Sequence, residues 1–296
     1  MEKISQRFEH VLSHIDNNLT SRLDCKLLAS IAQVPECHFD FIFHSLFHTR
    51  TEDYIGLLRN LEAAQQLGFD KAIPISTVAE SAGFGSEASF TEAFTKAIGQ
   101  SPSQFQLTPD WGNFFEKQQP LKTLSEGHDE LTADQVNIEL VELEAIPLIA
   151  IEHRTQAQYL PQTIEAMRAF RQAHQLSPDT SRTFNFIYQF AAEPLQQFNI
   201  DIAVSVTQTQ KAALRSVIDV SDYFMESMIS EGRYATFLHS GSDEDLNKKV
   251  KYLYGTWLNE QSQNKAIQLE NLPLIFEKLN ITQPQQIKTR VYLGFV

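Results

Sequence analysis

Apolar residues recur at helical spacing through residues 5–105. Phe8, Val11, Leu12 and Ile15 form one stripe, and Leu27, Leu28, Ile31 and Ala32 form a second. After Pro35 a third holds Phe39, Ile42, Phe43 and Leu46. A longer segment, about 51–67, carries Tyr54, Leu57, Leu58, Leu61 and Ala64. Two short helices are expected at about 76–82 and 86–98, with Gly83 between them and Ser101-Pro102 closing the pair.

The pattern breaks at 107–135, where Pro109, Gly112, Pro120 and Gly127 accompany the polar run Ser125–Glu130, so 109–135 reads as a linker. From 136 onward it changes period. Val136–Leu140 alternates and Leu148–Ile151 is continuously apolar, both as in strands. A helix is expected at 161–174, then strands at Phe184–Phe190, Ile200–Val206, Val217–Val220 and Tyr234–Leu238. A helix at 242–259 and strands at Leu274–Leu279 and Arg290–Val296 complete the chain. Strand, strand, helix, strand, strand therefore occurs twice, with His153 and His239 closing the strand ahead of each helix. That predicts a tandem α+β repeat sharing one sheet system. The expected organisation is an all-α domain at 1–108, a linker at 109–135 and the α+β domain at 136–296.

Length and charge sharpen this outline. A chain of 296 residues fits about two domains. No apolar run approaches the ~20 residues of a membrane helix, the first residues lack a signal peptide's apolar segment, and Cys25 and Cys37 make no disulfide framework. A cytoplasmic protein with no membrane partner is expected. The net charge of −13 disfavours a broad basic surface for nucleic acid. No Ser-His-Asp order, metal motif or phosphate loop is visible. No catalytic residue, metal or cofactor is expected, and the chain reads as a non-enzyme. His10/His14 and His44/His48 have the i,i+4 spacing of helical metal ligands, but nothing fixes a third ligand.

Two stretches of the helical region share a layout. Leu27–Ala32 precedes Val34-Pro35 and a helix ending near Phe47. Val78–Phe84 precedes a helix holding Phe90 and Phe94, followed by Gly99-Gln100-Ser101-Pro102. With Tyr54, Arg59 and Ala63-Ala64 on the long helix between them, this resembles the DNA domain of the AraC/XylS transcription regulators. The resemblance implies two helix-turn-helix units joined by one central helix, with recognition helices in successive major grooves of double-stranded operator DNA. On it, Cys37, His38, Phe41, His44 and Arg50, and then Ser86, Glu87, Ser89, Glu92 and Lys96, are the expected DNA-facing residues. The charges fit poorly. Residues 1–110 hold eight basic and fourteen acidic residues, a balance of −6, and phosphate contacts come from Lys and Arg. Phe41 and Glu92 stand where the family often has Arg. Glu87 or Glu92 would suit a cytosine amino group, and Phe41 a thymine methyl. Titration of His38, His44 and His48 offers a way for DNA affinity to rise as pH falls. An alternative is a regulator or inhibitor acting through protein contacts, with DNA binding weakened or lost.

In the second domain, Gly232-Arg233-Tyr234-Ala235, His239-Ser240-Gly241, Trp257-Leu258, Phe276-Glu277-Lys278-Leu279 and Arg290-Val291-Tyr292-Leu293 resemble the GyrI-like effector-binding domain, found alone or fused to AraC-type readers as in Rob-like regulators. The resemblance implies a groove with a central carboxylate, here Glu277, and aromatic walls, here Tyr234, Tyr292, Trp257, Phe186 and Tyr188. It would take a small cationic or aromatic molecule. The whole then reads as a ligand-responsive transcription regulator, with RNA polymerase as a further partner.

Overall fold

The computed structural model describes residues 2–117, 131–132, 135–190, 194–264, 268–281 and 287–296. They divide into two units. One comprises residues 1–33 and 42–130, the other 34–41 and 131–296.

The first unit is helical. Its elements are α1 (Ile4–Asn17), α2 (Cys25–Ala32), the second half of α3 (Glu36–Phe47), α4 (Thr51–Phe69), α5 (Ile75–Ser81), α6 (Glu87–Ile98), α7 (Pro102–Leu107) and α8 (Trp111–Lys117). Local signals set the ends. The Asp24 carboxylate accepts from the Leu27 amide, and the Ser86 hydroxyl accepts from the Ser89 amide. Ser101 and Gln104 form a capping box with Pro102 at the first helical position, and left-handed Gly99 ends α6. Phe90, Phe94, Ile98, Phe105 and Phe114 build a core with Ala63, Ala64 and Leu67 of α4 and Val78 and Ala79 of α5. Small residues on α4 and α5 let the helices approach closely enough for these rings to fill the space between them.

Two guanidiniums, one buried on α1 and one half-buried on α4, tie down neighbouring backbone. Arg7 donates to the Ala32 and Gln33 carbonyls at the end of α2. Arg59 donates to the Leu19 and Ser21 carbonyls, and that structural task occupies it. Gly83 sits against Arg59 at φ 75°, and a Cβ there would lie 3.1 Å from the guanidinium carbon. Gly83→Ala should therefore cost about 1–2 kcal/mol through the left-handed backbone alone, checked by urea unfolding followed through Trp111. Trp111 belongs to α8, which lies inside the stretch expected to be linker. Its indole stacks edge-on against Phe105 and Phe114, which is why helix replaces loop there. The remainder of the expected linker, 118–130 and 133–134, lies outside the described residues.

The second unit is built on one antiparallel sheet. Its strands are β1 (Glu139–Leu143), β2 (Ile146–Gln156), β3 (Thr183–Ile187), β4 (Gln197–Ser205), β5 (Phe224–Ile229), β6 (Gly232–His239), β7 (Leu274–Leu279) and β8 (Lys288–Phe295), in the spatial order β1-β6-β8-β7-β3-β4-β2-β5. The helices are α9 (Leu160–Ala173), α10 (Gln208–Asp219), α11 (Asp243–Tyr252) and α12 (Leu258–Asn264), with a π-turn over Leu253–Trp257. The repeat is β1-β2-α9-β3-β4 and β5-β6-α11-β7-β8. Val217–Val220, expected as a strand, instead closes α10 and its cap, and the strand of that repeat lies later, at β5. The Thr207 capping box starts α10, and Leu214 and Ile218, four residues apart, bury its inner side.

Two connections curl the sheet. Only Glu144 and Ala145 join edge strand β1 to β2, and only Ser230 and Glu231 join edge strand β5 to β6. Two linking residues span roughly 10 Å, so the two edges must come together. One face therefore becomes a concave interior, with Leu148, Ala150, Phe184, Phe186, Tyr234, Ile275 and Tyr292 buried on it. The opposite face carries α9 and α10 on Ile149, Ile151, Ile202 and Val204. His153 and His239 are both buried, the first bonded to Thr163 of α9 and the second to the Ser242 carbonyl at the start of α11.

Candidate functional site

Alternation along the strands decides what reaches the concave face. Glu277 pairs with Phe184 on one side and Arg290 on the other, and Tyr292 pairs with Ile275 and Thr236. All of these share a face. Glu277 is 3% exposed, and both of its carboxylate oxygens are engaged. Oε1 accepts from Arg182 Nε at 2.7 Å and Oε2 from the Tyr292 hydroxyl at 2.7 Å. The Arg182 guanidinium lies over the Phe184 ring at 4.8 Å, and its Nη2 is 3.4 Å from the Tyr292 oxygen. Arg290, two residues before Tyr292 on the same face of β8, lines one cavity with it. Burial first, then the bond to Glu277, pushes the Tyr292 phenol up to about 12, so it stays a donor. Hydrogen bonding to Glu277 raises Arg182 further above its already high value.

The other half of the sheet repeats this pattern. Tyr188 donates to Asp201 Oδ2 at 2.6 Å, Arg154 pairs with Asp201 Oδ1 at 2.5 Å, and the Arg154 guanidinium lies 4.8 Å over the Tyr188 ring. Burial raises Asp201, with Tyr188 and Arg154 pulling it back down, and burial raises Tyr188 as well. Asp201 pairs with Phe186 and Glu277 with Phe184, so the carboxylates flank β3 one two-residue step apart. Sheet spacing puts their Cα atoms roughly 12 Å apart. Two carboxylates on this face are thus each bound by a tyrosine and by an arginine stacked on a ring.

The expected groove residues divide accordingly. Glu277, Tyr292, Tyr234, Phe186 and Tyr188 lie on the concave side, with Tyr234 edge-on to Tyr292 at 6.3 Å and its hydroxyl donating to the Ser230 carbonyl. Trp257 does not join them. Its indole packs 6.0 Å from Phe295, which alternates to the opposite face from Tyr292. Sequence reasoning passed over Arg182, Arg154, Asp201 and Arg290. Asp201, a lone charge inside the apolar strand Ile200–Val204, was the one visible signal. Beside Tyr292 and Arg290 a cavity of about 510 Å³ is lined by Glu139, Val141, Leu143, Thr236 and Leu238, and the Thr236 hydroxyl is buried without a hydrogen-bond partner among the described residues.

The expected DNA-facing residues also divide. Ser86, Glu87, Ser89, Glu92 and Lys96 are exposed on α6 and its cap, although Ser86 and Ser89 bond to each other there. Arg50 is exposed and paired with Asp53 at 2.9 Å. Cys37 and His44 are half-buried. His38 and Phe41 are not available as DNA-facing groups. Both are buried within the second unit, His38 with Nδ1 2.8 Å from the Tyr254 hydroxyl and Nε2 3.1 Å from the Glu270 carbonyl. The Phe41 ring stacks on Tyr254 at 5.3 Å and meets Phe190 edge-on at 4.8 Å. Burial lowers His38 to about 4, which removes it from any titration near neutral pH, and burial raises Cys37 to about 11. Among the described residues no group of three or more His, Cys, Asp or Glu could hold a metal ion, and no helix is long and apolar enough to cross a membrane.

Comparisons with known proteins give both regions a family. Residues 28–107 match a helix-turn-helix domain. "Probable transcriptional regulator LumQ" of Photobacterium leiognathi is 32% identical over 108 residues, 36% of this chain and 43% of that protein. "RCS-specific HTH-type transcriptional activator RclR" of Escherichia coli K12 is 33% identical over 78 residues, 26% of this chain and 27% of that protein. The chain thus matches less than half the length of each. Among solved structures, the EcmrR C-terminal domain is 10% identical with a TM-score of 0.40, covering 54% of this chain and 98% of that one. Residues 136–295 match the GyrI-like small molecule binding domain. This chain belongs to the GyrI-like family, with a helix-turn-helix domain ahead of its small molecule binding domain.

Proposed function

We propose that the chain is a transcription regulator that reads double-stranded operator DNA and adjusts its output to a small molecule held on the concave face of the sheet. The observation that carries the reading is the combination of an exposed α6 in a matched helix-turn-helix domain with a buried carboxylate in a matched small-molecule domain. Glu87, Glu92 and Lys96 face solvent along one side of α6, where base edges and phosphates would meet them. Ser86, Ser89 and Arg50 lie close by in sequence. Contact with RNA polymerase would carry the output.

The test is fluorescence anisotropy of the full chain on its own upstream intergenic DNA at about 50 and about 200 mM salt. Site-specific binding that falls steeply with salt is expected. Lys96→Ala should weaken binding evenly across sequences and flatten the salt slope by about 1. A second reading, action through protein contacts without DNA, is favoured by the burial of His38 and Phe41 and by the acidic face of α6, where Lys96 is the one basic side chain. Absence of salt-sensitive binding under both conditions would select it.

A further inference from the structure

We infer that Arg182 is a resident cation, occupying the place an organic cation would take and turning the groove toward anionic ligands. The inference rests on the groove being the ligand site, as proposed above. A buried carboxylate beside ring faces attracts a delocalised cation by charge and by the ring quadrupole. Here Arg182 already makes each of those contacts. It pairs with Glu277 Oε1 at 2.7 Å, covers the Phe184 ring at 4.8 Å and reaches the Tyr292 oxygen. Tyr292 takes the other oxygen of Glu277. An incoming cation therefore finds no free carboxylate oxygen, and it would meet a guanidinium of its own sign.

The backbone holds Arg182 in this role. Its amide donates to the Ser205 hydroxyl at 2.8 Å, and its carbonyl accepts from the Ser205 amide at 2.9 Å, so only the side chain is free to move. That side chain is 44% exposed, whereas the Glu277 side chain is 4% exposed. The guanidinium forms the outer surface of the pair, and among the described residues its Nη1 makes no hydrogen bond. Arg290 brings a second positive side chain to the cavity that Tyr292 also lines. Arg182 at the phenol and Arg290 in the cavity thus sit with Tyr292 on one face, with the apolar wall of Val141, Leu143 and Leu238 alongside. Glu139 is the opposing charge on that wall, on edge strand β1. A carboxylate or similar anion on an apolar body fits the two guanidiniums, and the Thr236 hydroxyl, without a hydrogen-bond partner among the described residues, offers it a donor.

The test uses two ions of one shape and opposite charge, tetraphenylphosphonium and tetraphenylborate, titrated calorimetrically into the full chain. The readout is the ratio of their dissociation constants, in which shape and apolar area cancel. The native protein should favour the anion. Arg182→Met should shift the ratio toward the cation by at least about tenfold, or 1.4 kcal/mol. Adding Glu277→Gln to that variant should abolish the shift. Should Arg182→Met fail to fold, Arg182→Gln keeps a donor to Glu277 without the charge. A native protein that already prefers the cation, with a ratio unmoved in the folded variants, overturns the inference and leaves the groove as the ligand site. Failure of both ions to bind any folded variant would instead remove the groove reading, and the inference with it.

Discussion

Glu277→Ala should destabilise the second unit by about 3 kcal/mol, the low end of the range for breaking a buried ion pair. Removal of the carboxylate leaves the Tyr292 hydroxyl, in a residue 2% exposed, without its acceptor, and opens a void between β7 and β8. Arg182 contributes less to the loss, because its half-exposed guanidinium can turn to water. Glu277→Gln should cost less, since an amide oxygen still accepts from Tyr292. Glu277→Leu combined with Arg182→Met should recover much of the loss, because apolar groups of similar volume replace a buried pair at little cost. Urea unfolding in a Trp111→Phe background, where Trp257 reports on the second unit, measures these differences. Equal midpoints for native and Glu277→Ala proteins would mean that the carboxylate contributes nothing to the fold.

The second large effect is a loss of stability in mild acid. His38 is fully buried, and burial lowers it from 6.5 to about 4. The unfolded chain therefore takes up the proton more readily than the folded one. Stability is complete above about pH 6.5 and is lost as pH falls through that value toward 4. The full difference is roughly 3 kcal/mol, of which about 2 falls between about pH 7 and about pH 5. Its close neighbours do not titrate there, because burial raises both the Tyr254 phenol and the Cys37 thiol. His38→Phe should lower stability at neutral pH, since it gives up the bond to Tyr254, and should flatten the acid dependence. Unfolding midpoints of both proteins at the two pH values decide the matter. An unchanged pH slope in the variant would assign the acid sensitivity to other groups.

Much of the fold was legible in the chain because its signals are local. Helical spacing, Pro102 and the glycines at 83 and 99 mark the helices of the first unit, and the twofold strand-strand-helix-strand-strand order marks the repeat. Glu277, Tyr234 and Tyr292 were named through the family resemblance, and strand alternation puts them on one common face. Local pattern failed where one run suits two periods. Val217–Val220 is short and apolar, and only packing of Leu214 and Ile218 against the sheet makes it the end of a helix.

Tertiary structure alone decided the rest. Trp257 belongs to the face opposite Glu277 because the π-turn carrying it crosses the outside of the sheet, and no local spacing records that. Arg182 meets Glu277 from 95 residues away, joined through β3–β7 pairing. His38 and Phe41 carry the same helical signal as exposed recognition residues, yet Tyr254, more than 200 residues later, buries them. Sequence specifies which side chains share a helix or strand face. Strand order and long-range contacts determine what those faces meet, and so which carboxylate is already paired and which reading helix stays open to solvent.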